Sequence, residues 1–322
     1  MKINYVLLPL LLIPFLGFNQ KLDKNKEYQL ACFGFYNLEN LFDTISDPDT
    51  NKILQDDFTP LGSKKWNSKK YYLKLNNMAE VISKLGVSSA SPDGVTMLGV
   101  CEIENKEVLI DLASNKKIKS RNYKIVHHEG PDRRGIDCAL FYNSKYFKLE
   151  SSKSFKLKMP NDTNFRSRDQ LLVTGKFMGE RMHFMVFHWP SRRGGEKKSR
   201  PKRVQAAILA RAITDSIRAT EKDAKIILMG DFNDEPKDSS LKLLSAYINS
   251  SLNFRGTIKY RKKWQVFDQF IHSQNLLPTC YVFEHEFLFE EDKKYGGLKL
   301  KRTYLGPFYN GGFSDHLPIV LK

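Results

Sequence analysis

Short apolar runs that stop on a charged or amide side chain constrain this chain more than any other feature. Ile226-Ile227-Leu228-Met229 runs into Gly230-Asp231-Phe232-Asn233-Asp234, and Leu317-Pro318-Ile319-Val320-Leu321 is entered through Ser314-Asp315-His316. Val95 to Cys101 ends at Glu102, and Tyr36-Asn37-Leu38-Glu39 and Phe187-His188 follow the same plan. Runs of this length bounded by turn residues read as buried strands. A carboxylate at the end of such a strand is costly unless it is paired or bound to metal. Acid, amide and imidazole side chains at strand ends are the parts needed to activate water and hold a phosphoryl group.

The run spacing predicts one α/β (α+β) four-layer sandwich, two mostly antiparallel sheets packed together and flanked by helices. Strands are expected at 30–36, 95–101, 138–142, 226–229 and 317–321, and an antiparallel meander over 123–187. Helices are expected over 68–85, with Tyr72, Leu75, Ala79 and Ile82 inward, over 105–113, and over 201–219, with Val204, Ile208, Ala212 and Ile217 inward. The 322 residues show no fixed-period repeat and no long linker, so residues 30–322 read as one catalytic domain. A content of 41% hydrophobic residues excludes a disordered chain.

Lys2 precedes an apolar stretch, Val6 to Phe18, of signal-peptide length and short for a spanning helix. Residues 1–20 are expected to act as a signal peptide or N-terminal anchor and 21–29 as a polar linker, which makes the protein exported. An uncleaved segment would be its one membrane contact. Cys32, Cys101, Cys138 and Cys280 show no metal-ligand spacing, and one disulfide stays open. The formal net charge of +16 points to a polyanionic partner. Nucleic acid, DNA ahead of RNA, fits best; no obligate protein partner is indicated, and a monomer is expected.

At the end of a strand the i and i+2 side chains share a face. Asp231 can therefore take a proton from water while Asn233 donates to a phosphate oxygen, with Phe232 turned into the core. His316 can serve as acid, base or donor if a carboxylate orients its second nitrogen. Asp268, which interrupts an apolar strand, is the candidate. Magnesium favours one or two carboxylates; Glu102 is the natural ligand, with Asn37 or Glu39 assisting, and manganese can substitute. Glu104 reads as an uninvolved, solvent-facing charge. His188 sits at a strand end before the densest basic stretch, which includes Arg192, Arg193, Arg200 and Arg203. Arg192 and Arg193 are expected to contact the substrate backbone, with Arg168 and the Arg133-Arg134 pair adding to them.

Six motifs in this order, Asn37-Leu38-Glu39, Cys101-Glu102, the His188 strand, Gly230 to Asp234, Asp268-Gln269 and Ser314 to Pro318, resemble the endonuclease/exonuclease/phosphatase family. The resemblance runs from about residue 31 to the end, and Arg302-Thr303-Tyr304 is similar to an element of its secreted bacterial nuclease-like members. It implies Glu102 as the main magnesium ligand, Asn37 nearby, and Glu39 where many members carry Asp. It also implies Asp231 acting on the attacking water, Asn233 binding phosphate, and His316, held by Asp268, on the scissile phosphate. Asp315 would complete the metal and hydrogen-bond network, and His188 would stabilise the transition state or help protonate the leaving oxygen. Other members act on phospholipid or sugar phosphate, for which an exposed aromatic hairpin around Tyr281-Val282-Phe283 and Phe287-Leu288-Phe289 would serve, although Glu284, Glu286, Glu290 and Glu291 would oppose an anionic surface. A non-catalytic polyanion binder would have lost catalytic positions, and here every expected one is filled.

Overall fold

A computed structural model describes residues 31–49, 52 and 56–322. The two N-terminal segments named above, 1–20 and 21–29, lie outside the described residues. Among the described residues no helix is long and apolar enough to cross a membrane.

In chain order the main strands are β1 (Phe33–Leu41), β2 (Met97–Ile103), β3 (Tyr123–His127), β4 (Asp137–Asn143), β5 (Phe147–Phe155), β6 (Gln170–Phe177), β7 (Glu180–His188), β8 (Lys225–Asp231), β9 (Ile248–Asn249), β10 (Asp268–His272), β11 (Cys280–Val282) and β12 (Ile319–Leu321). They form two six-stranded sheets, ordered β11-β12-β1-β2-β4-β3 and β5-β6-β7-β8-β10-β9. Each sheet holds one parallel pair at its centre, β1–β2 and β7–β8; every other neighbour is antiparallel. The meander expected over 123–187 is split, with β3–β4 in the first sheet and β5-β6-β7 in the second.

Period-two alternation builds the layers. Phe33, Phe35, Met97, Cys101, Phe184, Val186, Ile227, Met229, Phe270 and Ile319 face inward and fill the space between the sheets. Tyr36, Leu38, Leu98 and Val100 face outward under α1 (Ser68–Lys84) and α2 (Lys106–Ala113). Met185, Phe187, Ile226, Leu228 and Phe232 face outward on the other side, under α3 (Glu196–Thr220). Each fully buried side chain of this kind contributes about 1.5–3 kcal/mol. The sheets approach closely at Gly99, where an added Cβ would lie 2.6 Å from Met229 Sδ.

Helix faces differ from expectation. On α1 it is Tyr71 that is buried, while Tyr72 is exposed. On α3 the inward residues are Arg203, Ala206, Ala207, Ala210, Ile213 and Thr214, and Ile208 is exposed. The real stripe uses small alanines, which let the helix lie close to the sheet, and an arginine that hydropathy alone places outside. Tyr281, Val282, Phe283, Phe287 and Phe289 pack partly buried against the outer core and form no exposed aromatic hairpin. The four cysteines are free thiols.

Candidate active site

The inward face of each central strand continues past the apolar residues onto a polar one. Asn37 follows Phe33 and Phe35, His188 follows Phe184 and Val186, and Asp231 follows Ile227 and Met229. All three stand at the carboxyl ends of the parallel pairs, where ligands gather in open α/β sheets. His188 and Asp231 are register partners, and Asp268 pairs with Asp231 from the other side.

Glu102 reaches the cleft by another route. Strict alternation would turn it outward with Leu98 and Val100. Instead the β2–β4 register shifts between Cys101 and Ile103, and Glu102 takes a left-handed backbone at φ 59°. That is a β-bulge, which re-aims one side chain. A matching shift in β1–β2 coincides with left-handed Glu39 and Asn40, and the Asn40 amide donates to Glu102 Oε2 at 3.1 Å. Asn233, at φ 51°, is also left-handed. Residues held this way cost about 1–3 kcal/mol each and cluster at functional sites.

Asp231 is the centre of the polar cluster. Its Oδ1 accepts from the Asn233 amide at 2.9 Å and its Oδ2 from Asn37 Nδ2 at 3.2 Å. Burial pushes its carboxyl up to about 7, helped by Asp268 and Glu102 and opposed by His316. His316 Nδ1 meets Asp268 Oδ2 at 2.7 Å, while Nε2 stands 3.8 Å from Asp231 Oδ2. Burial disfavours its charge, but Asp268 and Asp231 outweigh that and hold the imidazole well above its ordinary value. His188 is the opposite case: burial, then Arg168, Arg134 and His316, hold it well below. Its Nε2 lies 3.6 Å from both Glu102 Oε1 and Asp231 Oδ2. With a neutral ring these approaches are not ion pairs.

Several expected residues have other work here. The Glu39 carboxylate, expected at the metal, is consumed by Arg302 Nε and the Thr303 amide, each at 2.7 Å. Asp315 meets the other end of the same guanidinium at 2.8 Å, which holds its carboxyl low against the effect of burial. Arg168, expected at the substrate, is buried; it donates to the His188 carbonyl at 3.1 Å and pairs with Asp132 at 3.2 Å. Arg192 pairs with Asp234 and Asp238 at 3.1 and 2.7 Å, so it fastens the loop after β8 rather than facing outward. Arg193 is exposed. Asn233 Nδ2 donates to the Trp189 carbonyl at 2.9 Å, leaving its second hydrogen uncommitted. Glu104, expected in solvent, is buried, accepts from the Asp43 amide, and is pushed up to about 8 by that burial.

Sequence reasoning missed Lys74, Asn40, Asp234 and Thr257. Lys74 is 1% exposed and donates to Thr303 Oγ1 at 2.7 Å. Its place one turn from Tyr71 and Met78 on the apolar side of α1 was the available signal. Asp234 is wholly buried against Arg203, whose Nε lies 2.6 Å away. Thr257 Oγ1 accepts from the amides of Phe267 and Asp268 at 3.1 Å and so pins the carboxylate behind His316.

The donor set suits a hard divalent cation. Glu102 offers a carboxylate whose side chain is 12% exposed. Asn40, bonded to it through the backbone, carries a buried side-chain oxygen with no hydrogen-bond partner among the described residues. Oxygen donors of this kind select magnesium or manganese over softer metals. A separate group, His127, Glu129 and Asp137, lies on and beside β3 and β4, and Lys52 stands 3.6 Å from its Glu129.

The endonuclease/exonuclease/phosphatase family model matches residues 32–322. The chain belongs to that family. Members of the family are hydrolases of phosphodiesters or phosphate esters. Solved structures share the fold at low identity. A family protein from Bacteroides thetaiotaomicron is 16% identical, with TM-score 0.57, covering 90% of this chain and 96% of that one. Truncated TDP2 of Caenorhabditis elegans is 15% identical at TM-score 0.55, covering 90% and 96%. A mannosyl-6-phosphatase of Bacteroides thetaiotaomicron is 15% identical at TM-score 0.55, covering 91% and 99%. No curated protein matches the sequence. The family hydrolases are metal-dependent, and in this member the Glu102, Asp231 and His316 groups meet at one cleft.

Proposed function

We propose that this family member is an exported, monomeric phosphodiesterase that cuts nucleic acid, DNA ahead of RNA, with little sequence specificity and with magnesium as its cation. The observation that carries it is the meeting of a proton acceptor near neutrality, a charged imidazole and a bulge-aimed glutamate within one cleft. The net charge of +16 favours a polyanion over a small ester.

Magnesium on Glu102, or manganese in its place, would offset charge on the phosphoryl oxygens. Asp231, fixed through both oxygens, takes a proton from the attacking water; its value of about 7 suits that task near neutral pH. His316 gives its Nδ1 proton to the Asp268 hydrogen bond and presents Nε2–H to a phosphate oxygen, a donor already in place when charge develops. Asn233 adds its uncommitted hydrogen. Neutral His188 can offer its one ring N–H as a hydrogen bond to the charge that develops in the transition state.

The test is nicking of supercoiled plasmid by the chain from Lys21 onward, with magnesium and with a chelator, beside Asp231→Ala. Metal-dependent nicking lost in the variant supports the reading. A second reading, a sugar-phosphate phosphatase, is favoured by the likeness to a protein named a mannosyl-6-phosphatase. Release of phosphate from mannose 6-phosphate without plasmid nicking would replace the first reading with the second.

A further inference from the structure

The basic stretch that the sequence offers as a substrate contact is neutralised within the fold in part, while Arg193, Lys197, Lys198 and Lys202 stay exposed with no ion pair among the described residues. Arg192 and Arg203 meet Asp234, and Arg200 meets Glu196. The hairpin Ile258–Tyr260 with Lys263–Gln265 combines free cations with a direct backbone tie to the catalytic pair. From Arg255 to Gln265 it carries Arg255, Lys259, Arg261, Lys262 and Lys263 and no acid. Lys259 is bound to Asp292 at 3.0 Å, which anchors the hairpin's base. Arg255, Arg261, Lys262 and Lys263 are exposed and have no ion pair among the described residues. Arg255 and Arg261 instead lie over the rings of Trp264 and Tyr260, 5.9 and 5.3 Å from their centroids.

The hairpin is built onto the catalytic pair. Ile258 bridges His316, the Leu317 amide donates to the Thr257 carbonyl at 2.7 Å, and Thr257 Oγ1 holds the Asp268 backbone. The strand from Ile258 to Tyr260 extends about 7 Å, and the Arg261-Lys262 turn stands beyond it. That distance spans roughly two base steps along a duplex axis.

We infer that the hairpin 258–265 is the clamp that grips the phosphate backbone of a polynucleotide beside the scissile position, with Arg261, Lys262 and Lys263 as its positioning cations. The inference rests on the nucleic-acid reading above and names where that substrate is held. Unpaired cations on a rigid ribbon, fixed to His316 and Asp268, keep the register between backbone and site.

The test compares two triple variants of the full chain, equal in charge lost: Arg261→Ala/Lys262→Ala/Lys263→Ala and Lys148→Ala/Lys176→Ala/Lys222→Ala. The second set is exposed and lies towards the opposite ends of the strands. Binding of a short fluorescein-labelled DNA duplex is followed by anisotropy in chelator across a salt series. The hairpin variant is expected to bind at least about tenfold more weakly at low salt, with a log–log salt slope shallower by about 2–3. The second variant keeps the wild-type slope, and Arg261→Lys/Lys262→Arg/Lys263→Arg restores both affinity and slope. Equal losses in the two alanine variants, or no loss in the hairpin variant, would overturn the clamp while plasmid nicking by wild type still stood. Absence of duplex binding by wild type would overturn the clamp and the nucleic-acid reading together.

Discussion

The role of each residue in the cleft follows from the neighbours its backbone selects. Asp231 and His316 are both held above their ordinary values, Asp231 by burial against the lowering pull of His316 and His316 by Asp268 and Asp231 against burial, the kind of perturbation that gathers at functional sites. Asp231→Ala removes the proton acceptor and is expected to lower kcat by at least about a hundredfold, while duplex affinity changes little; steady-state nicking and anisotropy check it. Asp268→Asn should lower the His316 pKa, read by NMR titration of the imidazole. In wild type that raised pKa adds stability that is complete below about 6.5 and is lost as pH rises through the higher folded value. Asp268→Asn should therefore flatten the dependence of the urea midpoint on pH in that window.

At the scale of elements, the loop after β8 and helix α3 are joined by a buried charge. Asp234 and Arg203 are both wholly buried, and Arg192 and Ser240 Oγ complete the carboxylate's partners. Removing Arg203 leaves the buried carboxylate with the half-buried Arg192 as its remaining counter-charge. Arg203→Ala is expected to lose about 3–5 kcal/mol in urea unfolding. The double variant Arg203→Met/Asp234→Leu should recover much of that loss, because an apolar pair needs no solvation. The bulge at Glu102 is the second decisive element. It trades regular pairing in β2 for a carboxylate turned into the cleft.

At the scale of the whole molecule, two sheets each contribute the end of one central parallel pair to a single cleft. Magnesium at about a hundred times its Kd is expected to raise stability by about 2.7 kcal/mol, and Glu102→Gln should abolish the increment while keeping the fold. Matched urea curves with magnesium and with chelator measure it.

Much of this protein is legible along the chain because strand burial and strand-end chemistry are local properties. A run such as Ile226–Met229 must be covered on both faces, and a carboxylate placed after it must find a partner. That was enough to mark Glu102, Asp231, Asp268 and His316 and the layered architecture around them. Strand β5 was not legible, because an edge strand with most of its side chains in solvent carries no apolar run. The inward face of α3 was not either, since alanines and a paired arginine occupy it. Whether a basic side chain is free or neutralised depends on partners far away in sequence, as Arg203 and Asp234 show. Only the tertiary structure decided that Arg168 and Arg192 brace the cleft, that Glu39 fastens Arg302, and that unpaired cations stand on the hairpin beside His316. Sequence sets which groups must be buried or satisfied, and packing chooses what satisfies them.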